Sequence, residues 1–108
     1  MNLTTRLELV PVPTIDFITV DGISIKQMLL PDPGMVIEQH SHDHDHATLL
    51  AAGSVRTWTG SKRPVDYDSP AMIEIPARTQ HSFQSLEPDT VLYCIHNAER
   101  LLADGGDE

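Results

Sequence analysis

An all-β domain, folded as a small barrel or sandwich, is predicted by three observations on the sequence. Turn-forming residues recur along it: Pro11-Val12-Pro13, Asp21-Gly22, Pro31-Asp32-Pro33-Gly34, Gly53-Ser54, Gly60-Ser61, Ser69-Pro70 and Glu87-Pro88-Asp89. They bound segments of about four to eight residues, the usual length of a strand. Helix signals are confined to one short stretch near the C-terminus. Finally, 108 residues at 40% hydrophobic and 21% charged composition make one globular domain, 1–108, and argue against disorder over most of the chain.

The elements follow in order. Strands are expected at 16–20 and 23–30, joined by Asp21-Gly22 as a tight hairpin, because both positions of that turn favour positive φ. Further strands are expected at 35–42, 46–52, 54–59, 71–75, 80–85 and 90–96. Residues 97–103 can form a turn or two of helix, capped by Asn97 and stopped by Gly105. The acidic end, Asp104 to Glu108, reads as a flexible, solvated tail.

Seven basic against sixteen acidic residues give a net charge of −9. Nucleic acid and anionic membrane surfaces are therefore not expected partners, since both are held largely by Lys and Arg. No apolar run approaches the eighteen or so residues of a membrane span. Met1-Asn2-Leu3-Thr4-Thr5-Arg6 lacks the order of a secretory signal, so a cytoplasmic location is expected. The single cysteine, Cys94, cannot form an internal disulfide. A domain this small then relies on its core, on self-association or on a metal.

Histidine is the anomaly. Six are present, and His40, His42, His44 and His46 fall within seven residues. Side chains two apart on a strand share a face, so His40 and His42 point one way, on the face of Val36 and Glu38. Two such imidazoles can reach one ion. If the chain turns at Asp43-His44-Asp45, His46 opens the next strand and shares a face with Thr48, Leu50 and Ala52. His81 follows a hydrophobic strand end and a turn led by Pro76, a suitable place for a ligand delivered from a second hairpin.

These residues resemble the two motifs of the cupin superfamily. The first motif is a Gly, five residues, His-x-His, three residues, Glu, six residues and Gly. Gly34, His40, His42, His46 and Gly53 keep every spacing, with His46 in the place of the Glu. The second is a Gly, five residues, Pro-x-Gly, two residues, His, three residues and Asn. Pro76 and His81 fit it, while Pro70, Arg78 and Ser85 replace the Gly, Gly and Asn. The first motif covers 34–53 and the second 70–85. Arg78 stands where a Gly would take positive φ most readily.

The resemblance implies an antiparallel jelly-roll β-barrel of six to eight strands with a divalent transition metal ion inside one end. It implies His40, His42, His46 and His81 as the ligands; a set with His44 in place of His46 is the main rival. Four neutral imidazoles leave a divalent ion more positive than a three-His, one-Glu set does, and so a stronger Lewis acid. Imidazole suits Fe, Ni, Zn and Cu, and Mn is tolerated, so the ligand type does not distinguish them. The resemblance makes a metal-dependent dioxygenase-like enzyme acting on a small organic molecule the leading expectation. The alternatives are a non-catalytic module that binds a metal and a small ligand, as a sensor, and a purely structural metal site. A homodimer is expected, because pairing protects sheet edges and small cupins often form one.

Other residues read more plainly. His44 fills no motif position and reads as exposed. His96 shares strand parity with Leu92 and Cys94 and reads as a packed or surface residue. Cys94 reads as a small buried residue rather than a nucleophile. Trp58 can line a pocket, whereas Phe83 reads as core. Glu38 and Tyr93 are candidate acid–base groups for which structural roles are favoured. Glu38, Gln39, Asp45 and Thr48 are near enough in sequence to orient an imidazole.

Overall fold

The computed structural model describes residues 12–39, 41 and 45–97. It contains nine strands: β1 (Thr14–Val20), β2 (Ile23–Leu30), β3 (Val36–Gln39), β4 (His46–Ala52), β5 (Ser54–Thr59), β6 (Val65–Asp68), β7 (Ala71–Ile75), β8 (His81–Ser85) and β9 (Thr90–Asn97). A five-stranded sheet has the order β1-β2-β9-β4-β7, and a four-stranded sheet has the order β3-β8-β5-β6. Every pairing is antiparallel. The all-β prediction therefore holds. The strand count exceeds the expected six to eight, and among the described residues no ladder joins the two sheets into a closed wall. Among the described residues no helix is long and apolar enough to cross a membrane.

Alternation explains most of the elements. β2 reads Ile-Ser-Ile-Lys-Gln-Met-Leu-Leu, and Ser24, Lys26, Met28 and Leu30 are its buried set. In β9 the buried set is Thr90, Leu92, Cys94 and His96, and in β4 it is His46, Thr48 and Leu50. The β1–β2 hairpin turns through Asp21 at φ 51° and Gly22 at φ 79°, both positive as a two-residue turn of this kind requires. β6, Val65-Asp66-Tyr67-Asp68, had no counterpart among the expected strands. It is a short edge strand paired only with β5, and two of its four residues are charged. The third expected strand, 35–42, extends in the described residues only from Val36 to Gln39. The expected helix at 97–103 and the tail at 104–108 lie outside the described residues except for Asn97, which ends β9.

Register turns this alternation into layers. Leu30 opposes Thr90 at one end of the five-stranded sheet, and Met28, Leu92 and Leu50 form the next row. Lys26, Cys94, Thr48 and Ile73 follow, and Ser24 and His96 lie beyond them. On the facing sheet, Ser85 pairs with Val55, then Phe83 with Ile37 and Thr57, then His81 with Gln39 and Thr59. The interior is thus graded. Met28, Leu30, Leu50, Leu92, Phe83, Ile37 and Val55 belong to one hydrophobic cluster from both sheets, which runs on through Cys94 and Ile73 to Ile75, the register partner of His46. Each such side chain contributes roughly 1.5–3 kcal/mol by leaving water. The histidines sit at the Ile75 end of it.

The motif glycines have backbone reasons. Gly34 and Gly53 take φ of 84° and 80°. A Cβ on Gly53 would run into the Thr90 side chain and lie 2.8 Å from the Thr90 Cα, so strand β9 can pass this turn only if the position is glycine.

Candidate functional site

His46 opens β4 and His81 opens β8, on different sheets, and both face the interior. Their ring centroids are 5.1 Å apart, with planes tilted by 53°. His96, near the end of β9, stacks on His46 at 4.7 Å and 29°. All three rings are buried, at 7%, 4% and 3% exposure. Phe83 closes the site from the apolar side, meeting His81 edge-on at 5.7 Å.

Hydrogen bonds fix the supports. The His81 Nδ1 lies 3.3 Å from the Thr79 carbonyl. A carbonyl only accepts, so this contact needs the proton on Nδ1, which in a neutral ring would leave the lone pair on Nε2. This is the tautomer that a backbone carbonyl commonly sets in a metal-binding histidine. Asp45, directly before His46, accepts a hydrogen bond from the Ala77 amide at 2.7 Å. It thereby ties the start of β4 to the turn that delivers His81. At the far end of the motifs, the Ser85 hydroxyl donates to the Asp32 carbonyl at 2.6 Å and accepts from the Met35 amide at 3.0 Å. The Gly34 amide also donates to the Ser85 carbonyl at 2.7 Å. The two motif segments are stitched together at two points. Ser85 does this where the pattern has Asn.

Arg78 settles the turn before His81. It adopts φ of 56°, the left-handed conformation that the pattern's Gly would supply. The turn is therefore kept with an arginine, at a steric cost of roughly 1–2 kcal/mol.

The expected site residues fare unequally. His46 and His81 are brought together. His40 and His42, and with them the rival His44, lie outside the described residues. Within β3 the inward residue is Ile37, while Val36 and Glu38 are exposed. Glu38 thus points away from the site. Of the residues considered for orienting an imidazole, Asp45 holds the Ala77 amide instead. Thr48 lies one row below, its hydroxyl 3.2 Å from the buried Cys94 thiol. Phe83 is core, as read. Tyr93 donates to the Gln27 side-chain carbonyl at 2.9 Å and takes no place among the inward residues. His96 is packed, as its parity suggested, but its stacking on His46 was not foreseen. That contact depends on the β4–β9 register, which strand parity alone does not contain.

The sequence matches no family model and no curated protein. The fold does have solved counterparts. An RmlC-like cupin family protein from Methanocaldococcus jannaschii, with a double-stranded β-helix fold, superposes with a TM-score of 0.71. The identity is 12%, over 87% of this chain and 89% of that one. KdgF from Halomonas sp. gives 0.67 at 18% identity, over 81% and 79%. Oxalate decarboxylase from Bacillus subtilis, a protein with Mn(II) centres, gives 0.69 at 20% identity. There the match spans 82% of this chain and 26% of that larger one. The chain has the cupin fold.

Two buried imidazoles from separate sheets fit a shared ion. Metal–nitrogen bonds of about 2.0–2.1 Å put the centres of two such rings roughly 4.5–5.5 Å apart. Among the described residues no group of three His, Cys, Asp or Glu side chains has the arrangement to hold an ion. Two members of the expected set, His40 and His42, lie outside the described residues.

Proposed function

We propose that the protein is a metal-binding cupin in which His46 and His81, with His40 and His42, hold one divalent transition metal ion at the polar end of the barrel. We further propose that it acts there on a small organic molecule as an oxygenase-type enzyme. The observation that supports this most is the approach of the His46 and His81 rings from opposite sheets. A divalent ion in an all-imidazole set supplies strong Lewis acidity toward a substrate oxygen.

The chain's own residues do the positioning. The Thr79 carbonyl holds the His81 ring in the tautomer that turns Nε2 toward a ligand role. Phe83 packs against that ring and, with Ile37, keeps water from the apolar side. Asp45 keeps the two ligand-bearing segments in register through Ala77. Oxygen uptake by the metal-reconstituted protein in the presence of β-diketones and enolisable acids tests the activity. Turnover that disappears in His81→Ala supports it.

A second reading has an observation in its favour. The three described rings are nearly closed to solvent, which suits a site that holds an ion or ligand without turning anything over. Stoichiometric metal with no oxygen uptake on any of these substrates selects it.

For the partner, we propose a second copy paired along β1. This edge strand is exposed along its whole length, with Ile15, Phe17, Ile18 and Val20 at 44–57% exposure. An exposed apolar edge invites pairing. Asp16 is the only charged residue in β1. In a two-fold antiparallel pairing centred on Phe17, Asp16 would face the partner's Ile18, so two chains of net charge −9 meet there without like charges opposed.

A further inference from the structure

His96 lies inside the histidine end but fills no position of either motif. Cross-strand register brings it to His46. In the β4–β9 ladder Ala47 opposes Ile95 and Thr48 opposes Cys94, so one further step along both strands sets His46 opposite His96. Side chains so placed have Cβ atoms about 4.5–5.5 Å apart, close enough to pair. The row continues on either side. Ser24 of β2 opposes His96, and Ile75 of β7 opposes His46. All four residues are buried.

The two ring contacts of His46 differ in kind. Its plane is tilted by 53° from that of His81, but by only 29° from that of His96, at 4.7 Å. The second is a stack, an attractive arrangement for two flat rings at this separation. Ligation would be another use for a histidine so close. Among the described residues, however, no three His, Cys, Asp or Glu side chains have the arrangement to hold an ion, so these three rings are not a ligand set on their own. What His96 does is cover one face of the His46 ring.

Covering a face has a consequence for a ligand. An imidazole offers its lone pair in the plane of the ring, and the torsion that turns this plane has a broad energy well. A flat ring laid against it narrows that well. His81 is steadied differently, by the Thr79 carbonyl at 3.3 Å from its Nδ1. The stack can do for His46 what this hydrogen bond does for His81.

We infer that His96 is a positioning residue: its stack fixes the plane of the His46 ring and so aims the nitrogen that a metal ion takes. The inference rests on the proposed metal site and deepens it, adding a residue that itself touches no ion. It requires the flat face of the His96 ring and not its nitrogens.

Two variants of the full-length protein separate these. His96→Phe keeps a flat ring, and His96→Leu fills similar space without one; both lose the nitrogens alike. Urea unfolding confirms that each is folded. His96→Leu is expected to weaken manganese binding, measured by competitive chelator titration, by roughly tenfold or more, while His96→Phe stays within about threefold of the wild type. The electron paramagnetic resonance spectrum of the manganese-loaded protein should change in His96→Leu and be restored in His96→Phe. In metal-free protein, the His46 ring resonances should report one ring orientation in the wild type and His96→Phe, and several in His96→Leu. Folded Phe and Leu variants that match each other in manganese affinity and in the His46 resonances overturn the inference. So does a folded His96→Phe that has lost its manganese while the His46 ring stays ordered, since His96 is then a ligand. A wild type that takes up no metal, with His46 resonances that still distinguish Phe from Leu, overturns the metal reading and leaves His96 as the residue that sets the His46 ring.

Discussion

The His46 and His81 rings face each other at 5.1 Å across the gap between two sheets, although thirty-four residues of chain separate them. Neither ring is held there by its own strand alone. The Asp45–Ala77 hydrogen bond joins the segments immediately before each of them.

Removing that tie should loosen the pair. Asp45→Ala is expected to cost about 1–2 kcal/mol of unfolding free energy, because a charge-assisted bond to a backbone amide is lost. It should also lower metal affinity by roughly tenfold or more, as loss of a supporting contact does at metal sites. Urea unfolding and competitive chelator titration measure the two. Unchanged metal affinity would show that the site is held by other means.

Arg78 makes a prediction of the opposite sign. Its φ of 56° strains an L-residue and suits glycine. Arg78→Gly should therefore leave stability unchanged or raise it by up to about 1 kcal/mol, against the usual entropic loss from a new glycine. A drop in melting temperature would mean that the arginine side chain holds the turn by contacts of its own.

The motif spacing made the turn before His81 legible in the sequence, and strand parity made the inward set of β4 and β9 legible. Three features were not. β6 was missed because Val65-Asp66-Tyr67-Asp68 is only four residues long and its two aspartates, between Pro64 and Ser69-Pro70, read as turn. The inward face of β3 was read from Val36 and Glu38, whereas Ile37 is the residue that enters the core. The stacking of His96 on His46 was not legible because an inward position meets its neighbour only through cross-strand register. Register is set by pairing partners distant in the chain.

Arg56 and Asp66 face each other across β5 and β6 and form a two-pronged ion pair at 2.8 and 3.0 Å. The hydrogen bond from Arg56 holds the Asp66 carboxyl below its usual range. A carboxyl depressed in the folded state adds stability above its unfolded pKa of about 3.9 and loses it as pH falls through the lower folded value. Both side chains are exposed, so the contribution is small and salt-sensitive. NMR titration should place the Asp66 midpoint below the ordinary aspartate value, and Arg56→Gln should bring it back up. An Asp66 midpoint that Arg56→Gln leaves unmoved would contradict this.

The β1 edge predicts concentration-dependent self-association. Phe17→Lys places a charge at the centre of the proposed pairing and should yield a monomer of native circular dichroism. Sedimentation equilibrium of both proteins decides it. A wild type that is monomeric at high concentration, or a variant that still dimerises, rules out pairing along β1.

The most direct measurement is the metal content of untagged protein, purified without added metal and then dialysed against a slight excess of manganese or zinc. The wild type should hold about one ion per chain, the stoichiometry of a single four-ligand site. His46→Ala/His81→Ala, with an unchanged circular dichroism spectrum, should hold almost none. Equal metal in the two proteins would mean that the meeting of these rings is packing and nothing more.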